Sequence, residues 1–183
     1  MKNLFLIIIF FIGISCKSQT YPLTETIVPS GSYISDTQNQ LTAFEGNWMG
    51  TWKGKTILIN FKKIIHGYDD HDNCYRDYLI GKFQVKDASG NILFDNLTIP
   101  DNNAKIQGKR IFANGTYSLT YGDDELCFKS GFIRINFNNS AKTEIRFKFT
   151  EISQLIEPDC FYHGKPADQR PEPLPKEIIL TKQ

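Results

Sequence analysis

The sequence predicts an all-β protein: an antiparallel up-and-down barrel, or a strongly curved meander, of about eight to nine strands. Two observations carry this. Apolar and polar residues alternate in run after run, the period of a half-buried strand. Each run is bounded by Gly, Asn, Asp or Pro, and no stretch combines helical period with helix caps. Aromatic residues make up 13%, with 14 Phe and 8 Tyr, which suits a sheet, and 183 residues suffice for one domain with a real core.

In chain order, the first segment is a leader. Met1-Lys2-Asn3 is a short positive start, and residues 4–14 are apolar apart from Gly13. That run is too short to span a bilayer and has the length of a signal-peptide core, so residues 1–15 read as a signal peptide. It ends in Gly13-Ile14-Ser15-Cys16, which resembles the lipobox of bacterial lipoproteins. In that family the leader is cut before the cysteine, which carries the acyl chains. The resemblance implies lipid at Cys16 and a place in the cell envelope, facing the periplasm or the cell surface, with the outer membrane the first choice. An ordinary secretory leader, cut slightly later, is the alternative. Residues 16–43 are polar and turn-rich and read as the lipidated cysteine and a flexible tether, with room for a short strand at 26–28. Residues 44–183 read as a single β domain.

The domain opens on Gly46-Asn-Trp48-Met-Gly50-Thr-Trp52. Trp48, Gly50 and Trp52 share one face of a strand, and the glycine between the indoles leaves room for a close neighbour. After a turn at Gly54, the second strand alternates Ile57, Ile59 and Phe61 against Asn60 and Lys62. A polar break over 66–74 follows. The third strand puts Leu79, Gly81, Phe83 and Val85 on one face and turns at 87–91. A short fourth strand starts at Ile92, and a break at Pro100 separates it from a fifth. Asn114-Gly115 is the strongest short hairpin signal. The sixth strand buries Tyr117, Leu119 and Tyr121. After a break at 122–130 come a seventh, a turn at 138–141, and an eighth with Ile145, Phe147 and Phe149 inward. A Pro-rich excursion over 157–175 precedes the ninth, at 177–181.

In a strict meander, the tight turns at 54, 87–91, 114–115 and 138–141 would collect at one end. The long connections at 66–74, Pro100, 122–130 and 157–175 would collect at the other. Function concentrates on such loops.

Gly46-Asn-Trp48 on the first strand resembles the Gly-x-Trp opening of lipocalins, so the expected barrel is lipocalin-like in shape. Lipocalins, however, place a long loop after that strand, where this chain has only a turn at Gly54. A wider resemblance is to an uncharacterised family of small Gram-negative lipoproteins. It rests on Gly50-Thr51-Trp52, on Tyr75-Arg-Asp77-Tyr78-Leu79-Ile-Gly81-Lys-Phe83, and on Leu180-Thr181-Lys182. It implies an envelope lipoprotein and no particular activity.

The chain carries 21 Lys and Arg, one of them Lys2 in the leader, against 20 Asp and Glu. That balance gives no electrostatic case for nucleic acid. No nucleophile elbow or phosphate loop appears, so no catalytic residue and no cofactor is assigned. His66, Asp70, His71 and His163 fall in the long loops and are the candidate ligand contacts. Cys74, Cys127 and Cys160 fall there too. An exported chain oxidises its thiols, so a disulfide is expected, Cys74–Cys160 being the chosen pair and Cys127 the spare. Cys160 lies in a long excursion that gains from a clip, and Cys74 stands at the start of a strand. His71-x-x-Cys74 and Cys160-x-x-His163 could instead hold a tetrahedral zinc, and a zinc-dependent hydrolase using His66, His71, Cys74 and His163 is the alternative function. The reading is a lipid-anchored envelope module, attached to a membrane by its lipid and binding an unknown small ligand or envelope protein. A purely structural envelope lipoprotein is the remaining alternative.

Overall fold

The computed structural model describes residues 19–152 and 156–183. The expected signal peptide, residues 1–15, and the expected lipid-bearing Cys16 lie outside the described residues. The rest is all-β, with strands β1 (Thr20–Pro22), β2 (Tyr33–Ser35), β3 (Gly46–Trp52), β4 (Lys55–Asp69), β5 (Cys74–Lys86), β6 (Ile92–Asp95), β7 (Ile106–Ile111), β8 (Tyr117–Asp123), β9 (Lys129–Phe137), β10 (Glu144–Glu151) and β11 (Glu177–Lys182). Strands β3, β4, β5, β7, β8, β9, β10 and β11 pair antiparallel in that order. Contacts of Met49 with Thr181 and of Trp48 with Lys182 close the ring into an eight-stranded barrel.

The period-2 pattern sets the interior. Trp48, Ile57, Ile59, Phe61, Leu79, Phe83, Val85, Leu119, Ile133, Ile135, Ile145, Phe147 and Leu180 are all buried. Every barrel strand contributes, so the axis is a packed core, as an eight-stranded barrel has just room for. Gly50 has the role expected of it. A Cβ there would lie 2.8 Å from side-chain carbons of both Ile178 and Leu180, and only a bare backbone lets β11 close the barrel against β3.

From Thr20 onward the expected tether is instead part of the fold. Strand β1 pairs parallel with β2, and β2 pairs parallel with β5 at Tyr75 and Arg76. The expected strand at 26–28 is absent; those residues lie in the loop between β1 and β2. Leu23, Ile34, Leu41 and Phe44 are buried. A 3-10 turn at Leu41–Phe44 stoppers one end of the barrel. The Phe44 ring stacks on Phe137 at 4.2 Å between centroids, and its carbonyl accepts the Trp48 indole N–H at 2.7 Å. The apolar residues of 19–44 are too widely spaced to show a period, yet each finds a socket.

The connectivity differs from a strict meander at one place. The chain does not reverse at Pro100. Strand β6 pairs with the end of β5 (Asp95 opposite Gln84). Strand β7 then resumes in the same direction along the same edge (Ile106 opposite Gly81). They are two halves of one strand, and residues 96–105 loop outward between them. Asn96 holds the interruption: its backbone N–H donates to Phe83 O at 2.9 Å, and its Oδ1 accepts from Phe83 N at 2.6 Å. Lys62 and Lys82 clamp the outward loop through Asp101, at 2.6 and 2.7 Å.

One missing reversal exchanges every later connection between the ends. The turns at 112–116 and 138–143 join the β4–β5 hairpin turn at one end, called here the hairpin end. Cys127 and residues 156–176 join Gly54 at the other, the disulfide end. Lys53 meets Glu172 there at 3.0 Å.

Candidate functional site

Strands β4 and β5 run past the barrel rim as a twisted hairpin. The expected polar break over 66–74 shrinks to a turn of four residues, 70–73. The pairing shifts between Ile64 and Gly67, where His66 takes a left-handed φ of 55°. The cause lies on β5. Asp77 is buried and accepts the Tyr33 hydroxyl at 2.6 Å and the backbone N–H groups of Asp36 and His66, each at 2.9 Å. Burial by itself would raise this carboxyl. The Tyr33 hydroxyl, the two N–H groups and the charge of Lys63 outweigh it and hold Asp77 below the ordinary carboxylate range. Asp77 thereby fastens β2, the β4 bulge and β5 together.

On the outer face beside this hairpin lies a cleft of about 390 Å³. Tyr78, Gln107 and Gly108 are on its barrel side, Asp69, Asp70 and His71 come from the hairpin, and Asp101 and Asn102 from the outward loop. Arg76 braces it. Its Nε lies 3.1 Å from Asp69 Oδ2, a second nitrogen pairs with Asp72, and Nη1 donates to Lys109 O at 2.8 Å. Asp69 also accepts from the N–H of His71 at 3.1 Å, so it both caps the turn and pairs with Arg76. Tyr78 packs where Gly67 leaves space, since a Cβ at 67 would stand 2.5 Å from its ring.

Of the four expected ligand contacts, Asp70 and His71 line this cleft. His66 does not; its ring stacks on Tyr75 at 4.3 Å and meets Tyr33 edge-on at 4.6 Å. His163 is at the disulfide end. The cysteine pairing is also corrected. Cys127 and Cys160 form the disulfide, with Cα atoms 5.8 Å apart, and Cys74 is a free, fully buried thiol at the opposite end. The expected Cys74–Cys160 bridge assumed a reversal at Pro100, and without one the two cysteines stand at different ends. The same exchange separates His71 and Cys74 from Cys160 and His163, so the four residues cannot surround one zinc ion. Among the described residues no group of three or more His, Cys, Asp or Glu could hold a metal. Sequence reasoning passed over Arg76, Tyr78, Asp101 and Gln107. Only the even positions of β5, opposite its apolar odd ones, mark Arg76 and Tyr78 as outward-facing.

A family model described as a family of unknown function, DUF6705, matches residues 1–183. No curated protein and no solved structure matches the chain.

Proposed function

We propose, for a chain that belongs to the DUF6705 family, a lipid-anchored binding module of the cell envelope. Cys16 carries the anchor, and the external cleft at the hairpin takes a neutral, hydroxyl-rich ligand of the saccharide class. The observation that carries the binding site is the contrast between a barrel axis filled by side chains and a polar cleft outside it. Its volume falls within the roughly 300–1,000 Å³ of small-molecule sites. Its cations face its own carboxylates: Arg76 pairs with Asp69 and Asp72, and the half-exposed Lys109 stands 3.9 Å from Asp69. What remains for a ligand is the Tyr78 ring, the amides of Asn102 and Gln107, and Asp70 and His71. Aromatic surface with amides and carboxylates suits sugar hydroxyls better than a strongly charged group.

The test is saturation-transfer NMR of the full chain against a panel of envelope oligosaccharides. Asn102→Ala and Gln107→Ala serve as the site variants, because both side chains are exposed and their loss leaves the core alone. A saccharide signal lost in both variants supports the site. Absence of any signal across the panel, or a signal indifferent to both substitutions, overturns it. The second reading, a purely structural envelope lipoprotein, is favoured by the same filled barrel and would then stand. Whether the anchor exists is tested separately: Cys16→Ser should move the protein from the membrane to the soluble fraction. A variant that still sediments with membranes removes the lipoprotein part.

A further inference from the structure

The chain between the anchor and the barrel is short. Thr20–Pro22 is already strand β1, and the carbonyl of Gln19 accepts the Tyr33 N–H at 3.0 Å. Cys16 stands three residues before Gln19. Three fully extended residues reach about 10 Å. Acyl chains on Cys16 therefore stay close to β1, whatever path the intervening residues take.

Strand β1 belongs to the hairpin end, and that end presents an amphipathic surface. Tyr33, His66, Tyr75 and Tyr68 make a continuous row of rings, with successive centroids 4.6, 4.3 and 5.1 Å apart. Tyr68 is half exposed. Ile65, beside His66, is 70% exposed, and Ile27 is 89% exposed. The loop that carries Ile27 is tied to the hairpin turn, since Gly31 N–H donates to Asn73 O at 2.8 Å. Rings with an apolar body and a polar tip populate the boundary between bilayer and water, and exposed aliphatic groups beside them gain from burial in the acyl region. Phe128 and Phe161 are also exposed, but they flank the disulfide cysteines at the far end, outside the reach of a 10 Å leash.

We propose that the hairpin end lies against the phospholipid bilayer that holds the Cys16 acyl chains, with Ile27, Ile65 and Tyr68 in its interface. This rests on the acylation of Cys16. The hairpin turn carries exposed Asp70, and Glu25 is exposed beside Ile27. The contact is therefore apolar and interfacial, and salt should not release it.

The test uses the full chain purified from membranes, its intact mass measured, and reconstituted in vesicles of phosphatidylethanolamine and phosphatidylglycerol bearing nitroxides on the acyl chains. A fluorophore is placed by Ile27→Cys or Ile65→Cys at the hairpin end, or by Ala88→Cys at the disulfide end; Cys74 is too buried to label. Emission from positions 27 and 65 should fall by about twofold or more, alike at low and high salt, while position 88 is unchanged. Equal quenching at all three positions, or at none, in a chain whose mass includes acyl groups overturns the orientation and leaves the anchor standing. Cross-linking between copies through position 65, with no quenching there, assigns the surface to a second copy and overturns it too. A mass without acyl groups removes both the anchor and the orientation that depends on it.

Discussion

The Tyr33 hydroxyl donates to Oδ1 of Asp77 at 2.6 Å and joins the N-terminal segment to a barrel strand 44 residues further along. Asp77→Ala strands that hydroxyl together with the N–H groups of Asp36 and His66. The Asp36 N–H is the buried orphan, at about 1–3 kcal/mol, and the other two, in part-buried bonds, add less because water reaches them. Tyr33→Phe removes one charge-assisted bond and should cost about 1.5–3 kcal/mol. Urea unfolding of both variants checks the order; a Tyr33→Phe variant as unstable as Asp77→Ala would mean that Asp77 is not the shared hub.

The same carboxylate sets an acid limit. Its folded pKa lies below the unfolded value of about 3.9. The stability it contributes is therefore complete above about pH 5, declines below the unfolded value and is lost as pH falls through the folded value. Stability measured from pH 6 down to pH 2 should decline less steeply in Asp77→Asn than in the wild type. Identical slopes would show that other carboxylates govern acid unfolding.

The Cys127–Cys160 bridge closes a loop with a sequence separation of 33. In the chain-entropy view this is worth about 3–4 kcal/mol. Cys160→Ser should lose that amount and free Cys127 to thiol reagents. A non-reducing peptide map of the wild type should give one cross-link, between the peptides of Cys127 and Cys160. Cys74 should react only after denaturation, because it is fully buried.

Barrel closure at β3 and β11 depends on Gly50. Gly50→Val must push Ile178, Leu180 or the Ile179 carbonyl aside, the last only 2.9 Å from where its Cβ would lie. The loss should be about 1–3 kcal/mol, with the fastest amide exchange in Thr181 and Lys182. Unchanged exchange in β11 would show that the seam absorbs the side chain.

Phe147 is fully buried on β10, and its neighbour Arg146 is exposed, with only a surface pair to Glu177 at 3.3 Å. Phe147→Ala should cost about 3–5 kcal/mol and Arg146→Ala less than about 1 kcal/mol. Calorimetry that found equal losses would contradict the register of this strand.

Local sequence dictates nine strands in residues 46–182 and, for the first, second, third, sixth and eighth of them, which face is buried. Alternation is a local property: Ile57, Ile59 and Phe61, or Ile145, Phe147 and Phe149, face one way because successive Cβ atoms point to opposite sides, whatever the strand pairs with. Tertiary structure alone decided which loops meet. Pro100 marks an interruption, but local sequence does not say whether the chain turns back or resumes on the same edge. Asn96 on the backbone of Phe83, with Asp101 between Lys62 and Lys82, makes it resume. Those contacts bring together residues up to 39 positions apart, which no local pattern encodes. One such choice moved Cys127, Cys160 and His163 away from Cys74, Asp70 and His71, and placed the cleft on the outer wall of the barrel beside the hairpin.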